Sequence, residues 1–247
     1  MNTPRSGDTA TLLPNGKVLI AGGFINIPPY ALTSTELYDP VANKFAPEGS
    51  TPVMNIGRDR ATATLLSNGK VLIAGGGDSR TELYDPTTNK FAPVGSTAVM
   101  NNGGFNATAT LLPNGKVLIA GGQETPPNEP GTTDLYDPAT NTFATSPPGG
   151  GRFGGATATL LPNGKVLIAA GSTFSSHGLS SALNGTQLYD VATDDYVASP
   201  VMNTARDSAT ATLLPNGKVL IAGGIFFTQL PSDIFGTPLS STELYTP

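Results

Sequence analysis

The 247-residue sequence contains no cysteine, no tryptophan and a single histidine, His177. Without cysteine there is neither a disulfide framework nor a thiolate metal site. A lone histidine in a serine-rich loop leaves no second candidate from which a Ser/His/Asp or Cys/His set could be built, so no catalytic residue, metal or cofactor is expected. Charge is scarce as well: 13% of residues are charged and the formal net charge is −5. That balance excludes the basic face a nucleic-acid partner requires. No apolar run approaches the length of a membrane span, and the first residues lack the charged and apolar regions of a signal peptide. The chain therefore reads as soluble with no membrane partner, secreted or cytoplasmic. No long stretch places apolar residues at helical spacing, so essentially no helix is expected.

What is present is repetition. The phrase Leu-Pro-Asn-Gly-Lys-Val-Leu-Ile-Ala-Gly-Gly recurs with small variations, its turn glycines being Gly16, Gly69, Gly115, Gly164 and Gly217, spaced 53, 46, 49 and 53 residues apart. Such a period belongs to stacked supersecondary units sharing one core. The units fall at approximately 1–53, 54–99, 100–148, 149–201 and 202–247 of a single domain. Met1-Asn2-Thr3 aligns with Met54-Asn55-Ile56 and Met202-Asn203-Thr204, so Met1 reads as an internal repeat position.

Each unit reads as four short strands, which in the second repeat are Thr62–Leu66, Lys70–Ala74, Thr81–Asp85 and a last one carrying Lys90, Phe91 and Ala92. Asn-Gly between the first two predicts a two-residue hairpin with positive φ at both central positions. The Asp of Tyr-Asp-Pro reads as a turn former whose carboxylate accepts backbone N–H groups. A four-stranded meander of this period is one propeller blade. The small side chains of Ala61-Thr62-Ala63-Thr64 suit an inner strand crowded around an axis, and the Leu, Val, Ile, Tyr and Phe positions then fill the faces between blades. The expected fold is all-β, a five-bladed β-propeller.

The double glycine after the second strand (Gly22-Gly23, Gly75-Gly76, Gly121-Gly122, Gly223-Gly224), the Tyr-Asp pair (Tyr38-Asp39, Tyr84-Asp85, Tyr136-Asp137, Tyr189-Asp190) and an aromatic in the fourth strand recur in register. With these residues the repeat resembles the kelch motif, and specifically bacterial kelch repeats similar to the propeller of galactose oxidase. The resemblance covers the whole chain. It departs at Phe45, Phe91, Phe143 and Tyr196, where kelch repeats usually carry Trp, and at Ala170, which replaces a glycine. The copper chemistry that galactose oxidase would imply is excluded, because it needs His and Tyr ligands and a Tyr crosslinked to Cys. The fifth repeat stops after its third strand, so its blade is expected to have three strands, with no closing blade shared between the two ends. Near-identity of the repeats is that of recent amplification or design, or of a fragment of a longer array. It also admits a homo-oligomer formed by strand or blade exchange as well as a monomer.

Loop lengths separate two faces. The offset from the third-strand Tyr to the fourth-strand aromatic is constant, whereas the segment from the second glycine to the Leu of Leu-Tyr varies from repeat to repeat. In an up-and-down blade all variable segments emerge on one side, where binding belongs. They are unusually apolar: Phe24 and Tyr30 in the first repeat, Phe174 and His177 in the fourth, and Phe226, Phe227 and Phe235 in the fifth are candidate contact residues. Against this stands a reading in which the loops pack on one another as satellite cores. A second candidate set is basic. Arg5, Arg58 and Arg206 align seven residues before the first Leu of strand one, with Arg60 and Arg152 nearby. Inward-pointing guanidinium groups at a channel mouth suit a carboxylate or another anion, and similar animal kelch adaptors imply an acidic peptide. Ion pairing to the neighbouring Asp8, Asp59 and Asp207 is the structural alternative.

Function is therefore expected to be that of a non-enzymatic kelch propeller, a protein-binding or scaffold module working through its variable-loop face on a protein or peptide partner, an acidic one included. A lectin-like glycan-binding propeller is one alternative. A designed or amplified scaffold without specific activity is another, and a sugar-active propeller enzyme is the least favoured because Glu36, Glu82 and Glu243 lie on third strands.

Overall fold

The structure is a computed structural model that describes residues 1–101, 104–122, 133–145, 154–174, 180–197, 199–229 and 234–247. Among them there is no helix, and five small antiparallel sheets, one per repeat, form a five-bladed β-propeller. Blade one comprises β1 (Thr9–Leu12), β2 (Val18–Ala21), β3 (Thr35–Asp39) and β4 (Lys44–Phe45). Blade two comprises β5 (Ala61–Leu65), β6 (Val71–Gly75), β7 (Glu82–Asp85) and β8 (Lys90–Phe91). Blade three comprises β9 (Thr108–Leu111), β10 (Val117–Ala120), β11 (Asp134–Asp137) and β12 (Thr142–Thr145). Blade four comprises β13 (Thr157–Leu160), β14 (Lys165–Ala169), β17 (Thr186–Asp190) and β18 (Asp195–Val197), with a separate hairpin, β15 (Ser172–Phe174) and β16 (Ser180–Ala182), in its variable segment. Blade five has the expected three strands, β19 (Thr210–Leu213), β20 (Val219–Ala222) and β23 (Thr242–Tyr245), and a hairpin of β21 (Ile225–Gln229) and β22 (Ile234–Pro238). The two extra hairpins are absent from the sequence expectation.

The residues group into two compact units, Met1–Phe105 with Tyr136–Phe143, and Asn106–Leu135 with Ala144–Pro247. In both, the second strands supply the core. Val71, Leu72, Ile73 and Ala74 are all at most 1% exposed, as are Leu167 and Ile168 of blade four. A strand alternates its side chains between two faces, and here both faces are covered. In the first unit Leu19 and Ala21 of β2 pack against Val71 and Ile73 of β6, with Met54 and Tyr84 completing the cluster. In the second, Leu118 and Ala120 meet Val166 and Ile168, and Leu167 and Ala169 meet Val219 and Ile221. The Thr-Ala-Thr-Leu first strands carry little bulk, and β1 lies beside β5, as β13 lies beside both β9 and β19.

The Asn-Gly turn is not the two-residue hairpin expected from its dipeptide. Leu13 N–H donates to Lys17 O (2.8 Å) and Gly16 N–H to Leu13 O (2.9 Å), and of the central residues only Gly16 has positive φ, at 80°. This is a type I turn over Pro14 and Asn15 closed by a left-handed glycine, the three-residue hairpin. Pro14 has φ fixed near the value a type I turn needs at that position and favours it, but Ser67 stands there in the second repeat and makes the same turn. Asn15 Oδ1 accepts Lys17 N–H at 3.1 Å, and every repeat copies these bonds.

The third-to-fourth strand connection is as regular. Asp39 Oδ1 accepts the N–H groups of Val41 and Ala42, and Asp85 and Asp137 accept likewise, as the turn-former reading requires. Asn43, at φ 49°, accepts the Tyr38 hydroxyl. Tyr38 then lies beside Phe45 with ring centroids 5.1 Å apart, and the pairs Tyr84/Phe91, Tyr136/Phe143 and Tyr189/Tyr196 repeat the contact at 5.3, 5.1 and 5.5 Å. The fourth-strand ring, Phe in three blades and Tyr in one, thus pairs with the third-strand Tyr each time.

Candidate functional site

The variable segments of blades one, two and five grow from a buried ionic clasp. In blade one, Arg5 Nη1 donates to Gly22 O (2.7 Å) and Ser34 O (3.1 Å), and Nη2 donates to Ser34 Oγ (3.2 Å) and Glu36 Oε1 (2.9 Å). Glu36 also accepts the consecutive backbone N–H groups of Asn2 and Thr3. Blade five repeats the set with Arg206, Gly223, Ser241 and Glu243, and the N–H groups of Asn203 and Thr204. Blade two makes it with Arg58: Nε to Glu82 Oε1 (3.3 Å), Nη1 to Gly75 O and Nη2 to Arg80 O (both 2.5 Å). All three arginine side chains are fully buried.

The double glycine makes this geometry. The first glycine, left-handed at φ 68° in Gly22, turns its carbonyl to the guanidinium. The second donates its N–H to the next repeat: Gly23 to Arg58 O (2.8 Å), Gly76 to Gly104 O (3.2 Å), Gly171 to Arg206 O (2.8 Å). A Cβ on Gly22 would stand 2.6 Å from Arg58 O, so the glycine is required by both φ and close approach.

These contacts correct the basic site. Arg5, Arg58 and Arg206 do not offer guanidinium groups to an external anion, because all three are buried, with the three donor groups of Arg58 and the Nη atoms of Arg5 and Arg206 bonded inside their own blades and Nε of Arg5 and Arg206 sealed without a partner. Nor are their partners the neighbouring aspartates. They are the third-strand glutamates, brought within reach because strand three runs beside strand two, whose end carries the glycine pair. A signal for this exists in the sequence: repeats one, two and five carry both Arg and Glu, whereas repeat three has Gly104 with Asp134 and repeat four has Phe153 with Gln187. Arg60 is the exception among the described members of the set. At φ 52° its side chain stays 56% exposed, beside Asp59 at 3.6 Å. Arg152 and His177 lie outside the described residues.

The clasp makes the fold acid-sensitive in a definite direction. Burial alone would raise the Glu36 and Glu243 carboxyls, but the backbone N–H groups of Asn2 and Thr3, or Asn203 and Thr204, with Arg5 or Arg206, outweigh it and hold both below the ordinary glutamate value of 4.5. A carboxyl with a lowered folded-state pKa contributes stability above its unfolded value and loses it as pH falls through the folded one. The melting temperature is therefore expected to fall as pH drops below 4.5, and a Glu36→Gln/Glu243→Gln variant should show a shallower fall. Equal slopes from thermal melts at stepped pH would contradict the assignment.

Above the clasps the variable segments differ. In blade one, Phe24 pairs with Ser6 as an isolated bridge, Ile25 N–H donates to Tyr30 O (2.8 Å) and Tyr30 N–H to Ile27 O (3.0 Å). The resulting tip stacks Phe24 on Tyr30, centroids 6.1 Å apart and planes 13° from parallel. Tyr30 is 52% and Ile27 65% exposed. Beneath the tip, Thr3, Pro4, Arg5, Ser6, Phe24 and Ile25 line a groove that Asn26 and Ile27 complete, with a volume of about 470 Å³. Blade two keeps only a short loop, pinned by Asp78 accepting the Arg80 N–H and guanidinium. In blade five, Phe226 is exposed on β21 and Phe227 half-buried beside it. Phe174 falls in β15 and Phe235 in β22. The structure thus brings Phe24 and Tyr30 together in one unit, and places Phe226 and Phe227 in the other.

No protein-family model matches the chain, and no curated protein matches it. Among solved structures, one described as the structure of YjhT is similar with a TM-score of 0.69 across 95% of this chain and 84% of that chain, at 15% identity. Likeness at that identity establishes the β-propeller fold and nothing narrower.

Proposed function

We propose that this propeller is a non-enzymatic binding or scaffold module of kelch type whose variable-loop face contacts a protein or peptide. The observation that carries the reading is the tip of blade one, where Phe24 and Tyr30 stack and Ile27 stands exposed above an apolar-walled groove, all on a base fixed by the Arg5–Glu36 clasp. Exposed aromatic and aliphatic side chains on a rigid support are the usual anchors of a protein interface. The burial of Arg5, Arg58 and Arg206 removes the donors that would favour an acidic partner, so the contact is expected to rest on apolar area. The constant loops at the other end of the third strands, with turns such as Asp39–Asn43, are scaffolding in this reading.

The test places a photoreactive residue at Ile27 in one variant and at Val41, 97% exposed on the constant face, in another. Crosslinks to a defined protein partner are expected from position 27 alone and should be lost when Tyr30→Ser is added. Equal labelling from both positions, or none from either in the native source extract, would overturn the proposal.

A further inference from the structure

Asp207 occupies a place none of the foregoing uses. It follows Arg206 and forms a two-way bridge with Ile225, N–H to O at 2.9 Å and back at 2.8 Å. Ile225 opens the β21–β22 hairpin. Its side chain turns to the neighbouring blade, where Asp207 Oδ1 stands 2.2 Å from where a Cβ on Gly155 would be. Gly155, left-handed at φ 71°, is the residue that leaves room for it. Ser172, whose hydroxyl acts on the same carboxyl, opens the β15–β16 hairpin, and β16 in turn lies against β21. One carboxyl therefore sits at the foot of both variable-loop hairpins of the second unit.

Among the described residues that carboxyl has no counter-charge; Arg152 and His177 lie outside them. In blade two the aligned residue is Asp59, followed by Arg60, which it pairs with at 3.6 Å; in blade five the next residue is Ser208. Oδ1 of Asp207 is buried without a hydrogen-bond partner. Among the described residues the groups facing it are the Ser208 N–H and hydroxyl and the Ser172 hydroxyl, with Gly155 and Ile225 adding nothing ionisable, and Arg206 is turned away into its clasp with Glu243. A half-buried carboxylate with one oxygen sealed from water, hydroxyl neighbours and no cation among the described residues is better held neutral than charged.

We infer that Asp207 is a proton-operated latch on the feet of the β15–β16 and β21–β22 hairpins, closed when its carboxyl is protonated and loosened when it ionises. Burial raises this carboxyl above the ordinary aspartate value, with the serine groups only partly opposing. A raised acid contributes stability that is full below its unfolded value and lost as pH rises through the folded one. The clasp of the same blade has the opposite sign, because Glu243 is held below 4.5, so the latch is read from pH 4.5 upward, where the clasp stays ionised. The consequence for partner contact rests on the variable-loop reading above; the latch itself is tested without any partner.

The experiment is amide hydrogen exchange followed by NMR on the intact chain between about pH 4.5 and 7.5, corrected for intrinsic exchange. Protection of the Ser172, Ser208 and Ile225 amides, which donate to Gly154, Gly155 and Asp207, is expected to fall about tenfold per unit of raised pKa. It should stay level in Asp207→Asn, while Leu19 and Ile20 amides of β2 stay level in both. A carbon-13 titration of the wild-type Asp207 carboxyl gives a second reading that needs no variant. Level protection in the wild type, an identical fall in Asp207→Asn, or a carboxyl titrating at or below the ordinary aspartate value would each overturn the latch.

Discussion

Replacing Arg58 by methionine is expected to lower the unfolding free energy by about 3–5 kcal/mol, the largest loss from any single side chain of the clasps. The guanidinium is fully buried and its three donor groups reach Glu82 Oε1, Gly75 O and Arg80 O. Methionine fills much of the volume and supplies none of the donors. Glu82 would keep the N–H groups of Asn55 and Ile56 but lose its counter-ion, while two carbonyls would be left without the bonds that replace their hydration. Lysine should recover little, because a point charge on a flexible stem cannot serve three acceptors disposed around a planar fork. Removing the carboxylate too, in Arg58→Met/Glu82→Gln, should recover roughly 1–2 kcal/mol of the loss, since the unpaired charge is then gone. Urea unfolding at pH 7 measures all three variants. A loss below about 1 kcal/mol for Arg58→Met would place the arginine among exposed, weakly coupled pairs and contradict its burial.

The second large effect is steric. Gly22→Ala is expected to cost about 3 kcal/mol, combining the penalty of an L-residue in a left-handed conformation with an overlap that the backbone must absorb. The overlap is with Arg58 O, 2.6 Å from the new Cβ, and that carbonyl is already fixed as the acceptor of Gly23 N–H. Gly223→Ala is the control. Its φ of 66° matches the 68° of Gly22, but among the described residues the nearest neighbour of a new Cβ is Leu239 O at 3.6 Å, an ordinary contact. Its cost should be about 1 kcal/mol, the conformational part alone. The chain performs a version of this itself at Ala170, which holds φ 66° while completely buried. Equal losses from the two substitutions, measured by the same denaturation, would mean that close approach between repeats contributes nothing at Gly22.

The strands were legible because each carries its own pattern. Val71–Ala74 is apolar throughout, as befits a strand covered on both faces, and Glu82–Asp85 alternates toward Tyr84. The turn was legible in place but not in type, because Asn-Gly suits two hairpin geometries and only the backbone bonds of the preceding Leu, the same before Ser67 as before Pro14, separate them. The clasp was missed for a reason of distance along the chain. Arg5 meets Glu36, Arg58 meets Glu82 and Arg206 meets Glu243 across separations of 31, 24 and 37 residues, whereas sequence neighbours such as Asp59 and Asp207 invited a local pairing. The joint loss of Arg and Glu from repeats three and four held the information, visible only when repeats are compared rather than read. The hairpins β15–β16 and β21–β22 are not legible because runs such as Ile225-Phe226-Phe227-Thr228 read as exposed loop, whereas their backbones pair.

The bonds of the second glycines run in one direction only. Gly23 finds its acceptor at Arg58, Gly76 at Gly104 and Gly171 at Arg206, each time in the repeat that comes later in the chain. During translation, a repeat that has left the ribosome has its four strands but not that acceptor, and its glycine pair stays solvated until the following lead-in emerges. At ~5–20 residues per second the wait is on the order of seconds. Blades one, two and four are thus each completed by a contact from the repeat that follows, and a pause in synthesis before that repeat is expected to leave the earlier one open at the very end from which its variable loop is built.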